Sequence, residues 1–229
     1  MKKLILLTLL TSSSIYAQTV QERFETFVCD CFTEKETEFD TSRNLDILDT
    51  CFDFPMDDYK EELETLVAQN IDTTKTNPYE AGIIYGKRMF SELQSTLIKT
   101  CDPYYHAMTI TGEIMLQNMK TGVDTARIDS LSAQIKATPD DYNLVWERGA
   151  CQMALGNSAE AILDFEYCLE NEPEHPTALF FLGWMHDING DFEKAKTLYQ
   201  KVLDLNMDLA GFNDIARIKL AIIDRNTKK

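Results

Sequence analysis

The chain has 229 residues and sets 22 Lys and Arg against 38 Asp and Glu, a formal net charge of −16. An acidic excess of this size repels phosphate backbones and anionic lipid, so nucleic acid and anionic membrane surfaces are excluded as expected partners. It names no partner in return, because an acidic surface also serves solubility.

Residues 1–17 read as a signal peptide. Lys2 and Lys3 form a positive start, Leu4 to Leu10 an apolar run, and Ser12 to Ala17 a small-residue region with the cut expected near Ala17. The run is too short to span a bilayer, which takes about 20 apolar residues. No Cys follows it to carry a lipid anchor. The expectation is a periplasmic or secreted protein of bacterial type, with no membrane span.

Residues 18–107 read as a helical bundle. Val20, Phe24, Phe27, Val28 and Cys31 form one stripe at helical spacing. Leu45, Leu48, Cys51 and Phe52 form a second, stopped by Pro55, and Tyr59, Leu63, Leu66 and Val67 a third. Asn77-Pro78 is an N-cap with Pro at the first helical position. It opens a long helix through Ile83, Tyr85, Met89, Leu93 and Leu97. Asp102-Pro103 repeats that start signal and opens a helix reaching Lys120. Gly82 and Gly86, four apart on an apolar helix, are expected to mark close packing inside the bundle. No alternating strand pattern occurs anywhere, so the chain is expected to be all-α.

Four cysteines lie in this part: Cys29, Cys31, Cys51 and Cys101. Residues two apart on a helix point about 200° apart, so Cys29 and Cys31 should neither bond each other nor share a partner. Two bridges, to Cys51 and Cys101 with the pairing open, would staple the bundle in an oxidising compartment. A metal site would need paired spacing and a nearby His, and the pattern has neither. The run Cys29-x-Cys31, Cys51, Gly82-x3-Gly86 and Cys101-x2-Tyr104 resembles uncharacterised helical domains of exported bacterial proteins, which implies no activity.

From Asp140 to Lys201 the chain matches itself at an offset of 34 residues. Gly149 falls on Gly183, Gly156 on Gly190, Ala161 on Ala195 and Phe165 on Tyr199. Leu182-Gly183, the two alanines, the two aromatics and Pro173 resemble the tetratricopeptide repeat, a solenoid of paired helices. The resemblance implies that Gly149 and Gly183 of first helices face Ala161 and Ala195 of second helices. Gly156 and Gly190 would end the first helices in the left-handed conformation. Asn157-Ser158-Ala159-Glu160 would open a second helix with a capping box. In the earlier repeat, Arg148 replaces the Leu of the Leu-Gly pair. Residues 108–139 read as a degenerate first repeat, 142–175 and 176–207 as two good ones, 208–224 as a cap helix and 225–229 as a tail.

The resemblance places Trp146, Glu147, Ala150 and Met153 of one first helix, and Phe180, Phe181, Trp184 and Asp187 of the next, on the groove-lining face. That face lacks the Lys, Arg and Asn with which one variant of the family grips peptide carboxylates. It suits instead a peptide or partner protein with apolar anchors and a Lys or Arg. The alternative is that these aromatics pack inside the chain. Cys151 and Cys168 are expected to be buried thiols at small-residue positions. His106, His175 and His186 are isolated, and no nucleophile, metal or phosphate motif is present. Neither cofactor nor catalysis is therefore expected. The reading is an exported protein-interaction scaffold. The rivals are a self-associating envelope component and an enzyme working through the N-terminal part.

Overall fold

The computed structural model describes residues 19–39, 44–72, 74–205 and 211–227. The signal peptide and its cut lie outside the described residues, as does the start of the cap segment. Among the described residues the chain is all-α, with no strand.

The N-terminal bundle is built from α1 (Val20–Lys35), α2 (Asn44–Cys51), α3 (Lys60–Asn70), α4 (Pro78–Thr100) and the first half of α5 (Asp102–Lys120). Thr19 and Glu22 close a reciprocal capping box on α1 that the sequence reading missed. Asn77 caps α4 as expected, its Oδ1 accepting from the Glu80 N–H at 3.0 Å. Asp102 differs from its expected role. The residue flanking α5 is Cys101, and Asp102 is already helical, its carboxylate turned to Arg225. Buried Val20, Phe24, Val28 and Phe32 of α1 pack with Leu93, Leu97 and Ile98 of α4 and Tyr104 of α5. Two disulfides join α1 to its neighbours: Cys29–Cys101 and Cys31–Cys51. The two bridges leave α1 in different directions, as the helical angle requires.

Next come α6 (Thr125–Ala137), then two helical hairpins, α7 (Tyr142–Leu155) with α8 (Ser158–Asn171) and α9 (Pro176–Ile188) with α10 (Phe192–Asp204). The hairpins turn at Gly156 and Gly190, with φ of 86° and 79°. That left-handed region favours glycine because it has no Cβ. The Asn157 side chain does not form the expected capping box. Its Nδ2 donates to Gln152 Oε1 at 2.7 Å instead. α6 packs on α7.

The glycine contacts also differ from expectation. A Cβ at Gly149 would lie 2.7 Å from Phe165 Cε1, and one at Gly183 would lie 3.1 Å from Tyr199 Cε1. The nearest neighbours of the glycines are therefore the aromatic rings of the second helices, with the Cβ atoms of Asp164 and Leu198, where the alanines were expected.

α11 (Phe212–Thr227) runs three residues beyond the expected end at Asp224 and returns to the bundle. It packs on α4, α9 and α10. Ala221 joins the bundle core, while Ala216 and Ile223 join the repeat core. α5 is shared in the same way. Tyr104 and Ala107 belong to the bundle core, and Met115, Leu116 and Met119 pack on the repeat core. The expected boundary between residues 107 and 108 thus falls inside a helix that serves both cores. No helix among the described residues is long and apolar enough to cross a membrane.

Candidate functional site

The first helices of the two hairpins carry the candidate residues on one continuous aromatic surface. Trp146 of α7 stacks on Phe181 of α9, with ring centres 5.9 Å apart and planes 9° from parallel. Phe181 stacks in turn on Trp184 at 6.1 Å and on Phe165 of α8 at 5.8 Å. Phe180 meets Phe181 edge-on at 5.5 Å and reaches Tyr199 and Trp184. The 34-residue repeat explains the continuity, because it puts Trp146 and Phe180 at equivalent positions on successive first helices.

This surface is covered by the chain itself. Phe180, Phe181, Trp184 and Met153 are buried, and Trp146 is half-buried. The Met115, Leu116 and Met119 side chains of α5 lie against the same cluster. From the other side comes α11. Phe212 packs on Phe180 with ring centres 4.8 Å apart and meets Phe181 edge-on at 6.1 Å. Seven residues later, two helical turns on the same face, Lys219 donates to Asp187 Oδ2 at 3.2 Å. Its ammonium stands 5.2 Å from the centre of the Trp184 ring. Both ends of the Lys219–Asp187 pair are largely shielded from water, at 17% and 14% side-chain exposure. The contact pairs charge and cation–π attraction at one atom. Burial first, and then the charge of Asp187, holds the Tyr199 phenol above its usual pKa.

Glu147 does not join this cluster. It pairs with Arg127 of α6, the residue standing where the later repeats have a small alanine. Arg148, the replacement for the Leu of the Leu-Gly pair, spans to α8. Its Nε and Nη2 donate to the two oxygens of Asp164 at 2.9 and 2.5 Å, and Nη1 donates to Ser132 Oγ at 3.2 Å. The charge pair stands where the repeat pattern expects apolar packing, so the pattern alone could not reveal it.

Two of the isolated histidines, His175 and His186, have structural roles. His175 Nδ1 accepts the Ala178 N–H at 3.2 Å and so caps α9. Burial first lowers its pKa, with Glu172 pulling the other way. His186 is buried, its Nδ1 3.3 Å from Asp191 Oδ2. Cys151 and Cys168 are buried free thiols. Burial raises both, Cys168 to about 12, which keeps the thiols protonated and unreactive at neutral pH. Among the described residues, no three His, Cys, Asp or Glu side chains gather as a metal site would need. A cleft of about 950 Å³ between α4 and α11 has a mixed-charge lining that includes Lys87, Arg88, Glu92, Lys99, Asp214 and Arg217.

A family model described as tetratricopeptide repeat matches residues 176–209, the α9–α10 hairpin and the residues just after it. The chain therefore carries a tetratricopeptide repeat in its C-terminal half, a protein–protein interaction module in general terms. Among curated proteins and among solved structures, none matches the chain.

Proposed function

We propose that the chain is an exported protein-interaction scaffold whose repeat surface takes a helix bearing an aromatic residue and, two turns later, a lysine or arginine. The observation that carries this is the seating of α11. Phe212 and Lys219 make the contacts with Phe180, Phe181, Trp184 and Asp187 that an aromatic anchor and a cation of a partner would make. α11 is the resident occupant, and a partner helix of the same chemistry exchanges for it. Trp146, half-buried at the edge of the surface, stays partly accessible for the first encounter. Apolar burial and aromatic packing supply the affinity, and the charge at Asp187 supplies orientation. Export is supported by the signal-peptide pattern and by two disulfides, which persist in oxidising compartments.

The test uses a fluorescent peptide of residues 212–227 and two proteins, the wild type and a Phe212→Ala, Lys219→Ala variant. The variant loosens the resident helix while leaving every surface residue of α7 and α9 in place. Its α11 stays anchored further along, where Arg225 donates to the Ile98 carbonyl at 2.6 Å. The variant should bind the peptide about tenfold or more tighter than the wild type, because the intramolecular competitor is weakened. A peptide carrying Lys219→Glu should bind weakly to both. Equal affinity of both proteins, or equal binding of both peptides, would refute the proposal.

A further inference from the structure

We propose that the N-terminal half of α4 is the contact surface of a two-fold dimer, with α4 of a second copy lying antiparallel across it. This inference does not depend on the occupant of the repeat surface. Tyr79, Ile83 and Phe90 fall on one stripe of α4 and are 78%, 43% and 36% exposed. Ile84, about 100° further round the helix than Ile83, is 49% exposed. Further along that stripe, Gln94 and Leu97 are buried in the bundle. The stripe thus leaves the core at Phe90, whose ring meets Phe52 edge-on at 5.0 Å, and continues through Ile83 and Tyr79 onto open surface.

Gly82 and Gly86 flank the stripe. The sequence suggested that they serve packing within the bundle, and the structure contradicts this. A Cβ added at either one would meet nothing within 4 Å. Glycine inside a helix weakens it, and among the described residues no contact offsets that loss. Small residues four apart allow a second helix backbone to come close. Exposed apolar residues on the same face give that second helix something to bury.

Charge selects the occupant. Glu80 stands in the first turn of α4, and Lys87 and Arg88 stand two turns later. An antiparallel second copy sets the acid of each helix against the bases of the other, twice by symmetry. A parallel copy would set like against like. A two-fold axis passing beside Ile84 and Tyr85 also places Ile83 over Gly86 of the other copy, and Tyr79 beside Phe90. The surface is therefore complementary to itself in reverse, as a two-fold interface must be.

Sedimentation velocity of the oxidised protein, from micromolar to submillimolar concentration, tests this. The wild type should pass from monomer to dimer. A Gly82→Gln, Gly86→Gln variant should stay monomeric, with a melting temperature equal to or above that of the wild type. Glu80→Lys and Lys87→Glu should each raise the dissociation constant about tenfold. Their combination should restore dimerisation. A wild type that remains monomeric throughout, or a dimer that survives the double glutamine substitution, would overturn the proposal. So would a monomer that cosediments with phosphatidylcholine vesicles through Ile83, since the face would then serve a lipid surface.

Discussion

At the scale of single residues, His175 joins local structure to pH. It caps α9 through Nδ1, which can accept the Ala178 N–H only while that nitrogen is unprotonated. Burial lowers its folded pKa below the ordinary value of 6.5. The unfolded chain therefore takes up a proton at a pH where the folded chain does not. By linkage, stability is full above the unfolded pKa and declines as pH falls through 6.5 toward the folded value. Replacing His175 with Asn keeps a capping acceptor and removes the titration. Thermal melts between pH 7.5 and 5.5 should show the wild type losing more stability than His175→Asn. Parallel losses in the two proteins would remove His175 from the account. The Arg148–Asp164 pair shows the same dependence on partners. Asp164 is buried, and its two oxygens are held by one guanidinium.

At the scale of elements, the hairpins rest on contact between a glycine of a first helix and an aromatic ring of a second helix. The contact is tighter at Gly149 than at Gly183, with a virtual Cβ 2.7 Å from Phe165 and 3.1 Å from Tyr199. Alanine gains about 0.5–1 kcal/mol of helix preference over glycine. Overpacking a buried contact loses about 1–3 kcal/mol. At Gly149 the loss should win, because the fully buried Phe165 ring must move. Gly149→Ala should lower the melting temperature, and Gly183→Ala should change it less. The reverse order would mean that the two hairpins do not pack alike. The repeat period made these elements legible, because Gly156, Gly190, Phe165 and Tyr199 recur where backbone and packing require them. The period aligns glycine with alanine positions but does not show which atoms come nearest, and these are the rings of Phe165 and Tyr199. It also could not show Gly82 and Gly86 on open surface, because apolar spacing gives a helix its stripe but not what covers that stripe.

At the scale of the whole molecule, α5 and α11 tie the disulfide-stapled bundle to the repeats. α11 contributes Ala221 to one core and Ala216 and Ile223 to the other. Arg225 pairs with Asp102 across this junction and lies 4.1 Å from the centre of the Tyr105 ring. Lys196 of α10 pairs with Asp224 at 3.0 Å. The candidate residues were legible as a set, because Trp146, Phe180, Phe181 and Trp184 come together on the first helices. Their cover was not legible, since contacts between residues 30 to 70 positions apart leave no periodic trace. The central claim is that α11 occupies the repeat surface through Phe212 and Lys219. Iodide quenching of Trp184 fluorescence, in a Trp146→Phe background that leaves it the single tryptophan, tests this most directly. Trp184 should be shielded in the otherwise wild-type protein and become quenchable when Phe212→Ala and Lys219→Ala are added, with helix content retained. Free quenching before those substitutions, or unchanged shielding after them, would contradict the account.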